Sequence, residues 1–251
     1  MNARLVSVVV LSLIGLAAAQ AAEMPVKAVG SISPPVIDYG NFYVGVDANT
    51  NHGLAGYAGI LYAPAGMGQS GLRLSIFGLG GKYQYHVEED VPPTTFKGRF
   101  VSGDFLVGYS SVFQNGAVTV VLGANVQDQR VRPSDPDNIV QGTKAGFKIQ
   151  GDFWVNPTPQ TLVLGIASYS TAFETYYSVL RFGYDLFGSG FFIGPEVGAL
   201  GNSRTDQQRV GLHVSGIPFG TRAKLTVSGG YLHERNEKDS AYATASIDFT
   251  F

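Results

Sequence analysis

The chain contains no cysteine, so disulfides, thiolate catalysis and cysteine-ligated metal sites are excluded. Charged residues make up only 14% of the sequence and the formal net charge is −2. This charge distribution offers neither the basic stripe of a nucleic-acid-binding protein nor an acidic tail, so we expect no nucleic-acid partner. After residue 22 the sequence has no apolar run of about 18 residues, the length that would predict a transmembrane helix.

Glycine and aromatic residues are abundant instead. The sequence has 33 glycines, 13 tyrosines and 16 phenylalanines. This composition is typical of a sheet protein with tight turns and aromatic girdles. If such a chain spans a membrane it must form a closed barrel, because only closure satisfies every backbone group in lipid.

The N-terminus has the pattern of an export signal. Arg4 supplies a positive charge, residues 5–16 form a short apolar stretch, and small residues follow. We predict a signal peptide at 1–21, cleaved after Ala21, with cleavage after Ala19 as the next choice. A membrane anchor is the alternative interpretation, and it is disfavoured because nothing helical follows.

Residues 22–40 contain Pro25, Pro34 and Pro35 and show no periodicity, so we expect a flexible periplasmic segment. Residues 41–251 then alternate with a period of two, which predicts β-strands in one domain. The predicted strands number about twelve: 42–51, 54–63, 71–85, 97–112, 117–128, 142–155, 161–171, 174–187, 190–201, 207–216, 222–233 and 240–251.

The connections between these strands suit an outer-membrane barrel. Long polar loops are predicted at 86–96, 129–141, 202–206 and 234–239, and short turns alternate with them. Short periplasmic turns and longer external loops are typical of an all-β, antiparallel up-and-down transmembrane β-barrel in the bacterial outer membrane. A soluble barrel of the lipocalin kind is the alternative, because alternation alone does not show which face is inside.

The last strand ends in an alternating apolar row that includes Phe249 and Phe251. This row is similar to the C-terminal insertion signal of outer-membrane barrels. The predicted partners during insertion are therefore outer-membrane lipid and the barrel-assembly machinery.

Charged residues on the face opposite the apolar row are predicted to line the lumen. We expect them to form an ion-pair network, since unpaired buried charges are costly. A twelve-stranded barrel falls between filled small barrels and open porins, so a selective conduit is the alternative. The predicted lumen residues are Arg73, Arg99, Asp104, Lys144, Lys148, Asp152, Arg181, Asp185, Glu196, Arg209, His213, Lys224 and Asp248.

One set of these residues suggests catalysis. His213 faces the predicted lumen with Ser215, and Glu196 on the preceding strand could orient the imidazole. A hydrogen-bonded structural histidine is the favoured interpretation. The sequence has no recognisable nucleotide, phosphate or metalloprotease motif, so no catalytic residue, cofactor or metal is predicted.

Two other features have competing interpretations. Asp135 and Asp137, together with Asp128, could suggest a calcium loop, but they lack the ligand spacing of one, and a proline-fixed loop is favoured. Trp154, the sole tryptophan, is predicted to anchor the barrel at the membrane interface.

Six short segments of the sequence form a recognisable series in chain order. They are residues 132–138, 142–146, 154–159, 181–184, 194–196 and 209–211, which read RPSDPDN, GTKAG, WVNPTP, RFGY, GPE and RVG. Together these segments resemble the cellulose biosynthesis protein BcsS family of alphaproteobacteria. The resemblance covers roughly residues 40–251 and carries over no catalytic residue.

The resemblance implies a non-catalytic outer-membrane accessory to bacterial cellulose (β-glucan) biosynthesis, secretion or surface organisation. The implied partners are cellulose-synthase secretion components or β-glucan, with the loops 86–96 and 129–141 as contact surfaces. A small porin for ions or solutes is the first alternative, and an outer-membrane enzyme embedded in the barrel is the second.

Overall fold

A computed structural model describes residues 37–87, 94–186, 188–235 and 237–251. The predicted signal peptide, and the predicted periplasmic segment as far as residue 36, lie outside these residues. Twelve strands follow in chain order: β1 Gly40–Asn49, β2 Leu54–Tyr62, β3 Gly71–Val87, β4 Thr94–Phe113, β5 Gly116–Arg132, β6 Gly142–Val155, β7 Thr161–Ser170, β8 Thr175–Tyr184, β9 Phe192–Gly201, β10 Asp206–Pro218, β11 Ala223–Glu234 and β12 Ser240–Thr250. In this described part of the chain, no helix is long and apolar enough to cross a membrane.

The strands form one closed antiparallel barrel. Each strand pairs with the next, and β1 pairs with β12 from Asn41↔Thr250 to Asn49↔Tyr242. The predicted fold class, an antiparallel up-and-down barrel of twelve strands, is confirmed.

The apolar faces of the strands point away from the lumen. On β1, for example, Phe42, Val44 and Val46 are exposed, whereas Tyr43 and Asp47 are buried inside. A soluble barrel would have the opposite arrangement, with apolar side chains in the core. The outward apolar surface is the one that a lipid environment requires.

Glycines on the lumen face make room for aromatic rings. A Cβ atom at Gly98 would lie 1.9 Å from Tyr83 Cζ, and one at Gly59 would lie 2.4 Å from Tyr43 Cζ. The rings therefore lie directly over the backbone of neighbouring strands. This packing explains why glycine alternates with apolar residues in this sequence.

Three strands extend well beyond the length needed to cross a membrane. β3, β4 and β5 have 17, 20 and 17 residues, whereas about 9–11 tilted residues suffice. At a rise of about 3.3 Å per residue, β4 is roughly 66 Å long. We call residues 82–87, 94–100 and 128–132 the external extension.

The extension shortens two of the predicted loops. The β3–β4 ladder continues to Val87↔Thr94, and the β4–β5 ladder continues to Lys97↔Arg132. The predicted loop 86–96 is therefore reduced to 88–93, which lies outside the described residues, and the loop 129–141 is reduced to 133–141. Continued backbone pairing is the physical reason for both differences.

At the periplasmic end of the barrel, residues 39–40 form backbone hydrogen bonds with Phe251. Tyr39 N donates to the Phe251 carbonyl at 2.6 Å, and Ala63 N donates to the Tyr39 carbonyl at 2.8 Å. Gly40 and Phe251 exchange a pair of backbone hydrogen bonds. The last residues of the segment predicted at 22–40 thus belong to the periplasmic rim of the barrel.

A bulge interrupts the ladder between β10 and β11. The register shifts between Val214 and Ile217, and Gly216 adopts a φ of 77°. Glycine accepts this backbone conformation without strain. The bulge lets β10 continue to Pro218, two residues beyond its predicted end.

Candidate functional site

The lumen holds a buried ion pair between distant strands. Arg209 of β10 donates to both carboxylate oxygens of Asp47 on β1, at 2.6 and 3.2 Å. The guanidinium carbon of Arg209 also lies 4.9 Å from the centroid of the Tyr242 ring. This pair reaches past β11 and β12, so it joins the two sides of the β1–β12 seam.

A second ion pair lies beside the first. Arg181 and Glu196 are directly opposite each other on β8 and β9, and the guanidinium donates to the carboxylate. The Tyr242 hydroxyl donates to the other oxygen of Glu196 at 2.8 Å. Glu196 therefore links three strands, and both of its oxygens are engaged.

A third cluster occupies the opposite wall. Lys148 on β6 and Asn125 on β5 both donate to the carboxylate of Asp104 on β4. The side-chain amide oxygen Oδ1 of Asn125 accepts from Ser170 Oγ and from Gln127 Nε2, each at 2.7 Å. A buried charge needs this degree of hydrogen bonding to be tolerated.

These side chains fill much of the lumen. Between β8, β9 and β10 a cavity of only about 10 Å³ remains, lined by Tyr177, Arg181 and Arg209 among others. The predicted residues Asp104, Lys148, Arg181, Glu196 and Arg209 are thus brought together in three clusters of paired charges.

Two predicted lumen residues instead stabilise the periplasmic end. Arg73 donates to the carbonyls of Met67 and Gln69, at 3.3 and 2.7 Å, and so closes the β2–β3 connection. Asp185 accepts from the backbone N–H of Ser189 and Gly190, at 3.1 and 2.8 Å. The predicted lumen residue Asp185 thus caps a turn with its carboxylate.

Three further predicted residues lie in the periplasmic half of the lumen. Lys224 and Asp248 face each other in the β11–β12 register, and Asp152 is opposite Thr119 on β5. All three predicted residues are partly buried.

Two predicted lumen residues lie elsewhere. Arg99 is exposed on the outer face, because the even-numbered residues of β4 point inward and residue 99 has the other parity. Lys144 is exposed at the external end, where its Nζ lies 5.5 Å from the centroid of the Phe173 ring. Both placements correct the prediction.

Trp154 also departs from its prediction. It has the inward parity of Lys148 and packs against the buried aromatic and aliphatic cluster of the interior. Trp154 therefore lies at the periplasmic end of the lumen and not in the lipid-facing aromatic girdle, where it was expected.

The suggested catalytic trio is not assembled. His213 is buried, and its Nε2 lies 3.2 Å from the Phe182 carbonyl oxygen. Glu196 is engaged by Arg181 and Tyr242, as described above, and does not orient the imidazole. Within the described residues the Ser215 hydroxyl has no hydrogen-bond partner. The geometry favours the structural interpretation of His213.

The external mouth is covered by the loop 133–141. The Tyr85 hydroxyl donates to Asp135 at 2.6 Å, and Asn138 Nδ2 donates to that hydroxyl at 3.3 Å. Val140 is fully buried in the same hydrophobic cluster as Tyr85. Burial, and then the hydrogen bond to Asp135, raise the pKa of the Tyr85 phenol above its ordinary value.

The loop 133–141 is joined to the loop 202–205, which in turn is joined to the loop 171–174. Arg204 donates to the carbonyl of Asp137, and Ser203 N donates to the carbonyl of Phe173 at 3.0 Å. We call the loops 133–141, 171–174 and 202–205 the external lid. Asp128, by contrast, lies on the outer wall, so it does not converge with Asp135 on a common ion site.

Asp47 and Glu234 are both buried, and neither is among the predicted lumen residues. The alternation of β1 indicates that Asp47 faces the lumen, because Asn41, Tyr43 and Asp47 alternate with the apolar residues of that strand. Glu234 follows the inward parity of β11 and faces Gln207 across the ladder.

The fold and the direction of its apolar surface define a bacterial outer-membrane β-barrel. The structure is similar to the COG4313 outer-membrane channel from Pseudomonas putida F1, with a TM-score of 0.55 and 10% identity over 88% of this chain and 98% of that one. The KdgM porin matches with a TM-score of 0.45 and 10% identity over 84% and 99% of the two chains.

The sequence comparisons identify the family. The family model for cellulose biosynthesis protein BcsS matches residues 41–251. The chain therefore belongs to the BcsS family, and the resemblance noted in the sequence is confirmed. No curated protein matches the sequence significantly.

Proposed function

We propose that this protein is a non-catalytic outer-membrane accessory of cellulose production that acts through its external surface rather than as an open conduit. The observation that carries the proposal is the combination of a lumen filled by paired charges with an external lid bonded across the mouth. BcsS family membership supplies the connection to cellulose.

The energetics of the lumen support an external role. A glucan chain passing through would have to separate the buried pairs Arg209–Asp47 and Arg181–Glu196. Breaking a buried pair costs about 3–5 kcal/mol when one partner is left uncompensated. Binding at the lid or the extension requires no such change.

The proposed contact surfaces are the loop 133–141 and the connection 88–93. Both adjoin strands of the extension in the sequence, and these strands continue well beyond the apolar band. Their partner would be β-glucan itself or a component of the cellulose-synthase secretion machinery.

Gene deletion with complementation tests this proposal. We expect deletion to alter cellulose yield, fibre morphology or surface attachment, and the wild-type gene to restore it. A variant with the loop 133–141 replaced by a short Gly-Ser turn should insert in the outer membrane yet fail to restore the phenotype. The proposal is refuted if deletion leaves all three properties unchanged.

A small porin is the second candidate, and the mixed-sign lumen favours it. Planar-bilayer recordings of the purified protein distinguish the two functions. Under the main proposal, wild-type protein gives no conductance steps above background. Reproducible steps whose ion selectivity changes with Asp104→Asn would establish the porin instead.

A further inference from the structure

The outward-facing side chains of β3, β4 and β5 change from apolar to basic at the same height on all three strands. Towards the periplasm, the outward residues include the exposed apolar side chains Ile76, Phe105 and Leu122. Further along each strand, in the external direction, the outward side chains become basic. We call the residues concerned the basic patch: Lys82, Lys97, Arg99, Arg130 and Arg132.

The register brings these cations together. Lys82 is paired with Arg99, and Arg99 with Arg130, so three basic residues form one row across three strands. Lys97 and Arg132 form the next row. Because neighbouring strands lie about 4.8 Å apart, the first row spans only about 10 Å.

Among the described residues, little negative charge faces the patch. All five side chains belong to exposed residues. Within the described part of the chain, Asp128 is the one carboxylate that pairs with the patch, to Arg130 at 2.7 Å. Like charges directly opposite each other on adjacent strands are destabilising. Such a row is expected where an external anion balances it.

The location of the patch identifies the anion. The patch lies immediately beyond the apolar band on the side of the external loops, which is the headgroup level of the outer leaflet. We propose that the basic patch binds the phosphate groups of the outer-leaflet glycolipid, lipid A. Arginine suits this ligand because its planar guanidinium donates two parallel hydrogen bonds to phosphate.

This inference is independent of the cellulose role. Phosphate contacts on β3–β5 would hold one side of the barrel at a fixed depth, directly beneath the extension. The patch would thereby set how far the lid projects from the membrane.

Native mass spectrometry of the full-length, refolded barrel tests the proposal. The protein is titrated with bis-phosphorylated lipid A and, separately, with lipid A lacking both phosphates. The variant K82Q/R99Q/R130Q is compared with R222Q/R235Q/K238Q, which removes three positive charges from exposed positions elsewhere.

We expect the patch variant to bind phosphorylated lipid A at least ~10-fold more weakly than wild type, since each basic residue near a membrane surface contributes measurably to anionic-lipid binding. The control variant should stay within about twofold, and wild type should bind the phosphate-free lipid as weakly as the patch variant does. Heat-modifiability on a gel checks that each variant is folded. If the triple variant does not fold, Arg99→Gln is compared with Arg222→Gln.

Two results would overturn the proposal. An equal loss in both variants would show diffuse charge attraction without a site. Equal binding of both lipids by wild type would show that the acyl chains alone are recognised.

Discussion

The buried pair Arg209–Asp47 makes a quantitative prediction about stability. Both residues are almost fully buried, so replacing Arg209 by methionine leaves an uncompensated carboxylate in the lumen. We expect Arg209→Met to lower the free energy of unfolding by about 3–5 kcal/mol. Asp47→Leu should have a similar effect, because it leaves the guanidinium unpaired.

The double variant D47L/R209M separates pairing from packing. Replacing a buried ion pair by apolar groups of similar volume is often neutral or stabilising. We therefore expect the double variant to lie within about 1–2 kcal/mol of wild type, far from the sum of the two single effects.

Urea unfolding of the barrel in lipid vesicles measures these differences. The emission of Trp154, the only tryptophan, reports unfolding from inside the lumen. The control is Arg235→Met, which breaks the exposed pair with Asp206 at 3.2 Å and should cost at most about 1 kcal/mol. If the double variant loses as much stability as the two single variants combined, the ion-pair reasoning is wrong.

Two further predictions concern the external extension and lid. Tyr85→Phe removes the hydroxyl that donates to Asp135, so amide hydrogen exchange within the loop 133–141 should become about tenfold faster or more, and an unchanged rate would contradict the described lid. Gly98→Ala would place its Cβ 1.9 Å from the Tyr83 ring, whereas a Cβ at Gly103 on the same strand meets its nearest atom at 3.9 Å. We expect Gly98→Ala to destabilise the barrel in the urea assay by about 1–3 kcal/mol and Gly103→Ala to have little effect; equal stabilities would disprove the close ring packing.

The alternation of the sequence was sufficient to predict the fold and most of the inward faces. The residues Asp104, Lys148 and Arg209 follow the polar parity of their strands and lie in the lumen as predicted from it. The prediction for Arg99 is wrong, because a charged side chain on a barrel strand does not have to face the lumen. Its parity is opposite to that of Asp104, so alternation alone points it outward, where headgroups and water tolerate charge.

The partners of these residues could not be predicted in the same way. Arg209 meets Asp47 because β1 closes against β12, and the two residues are 162 positions apart in sequence. Alternation fixes the face on which a side chain lies. It does not fix the stagger of the strands in the closed sheet, which determines which side chains pair across the lumen. The lid was also beyond prediction, since it depends on the loop 133–141 folding back onto Tyr85.

The pairing of β1 with β12 constrains how the barrel assembles. Every other contact between neighbouring strands is a hairpin made by consecutive segments, and these can form as soon as both segments are present. The free edge of the first strand, however, is covered only when β12, Ser240–Thr250, pairs with it. An unpaired edge cannot persist in lipid, because its backbone groups find no water there. Closure of this barrel therefore requires all twelve strands at once, and it must be coordinated with entry into the bilayer.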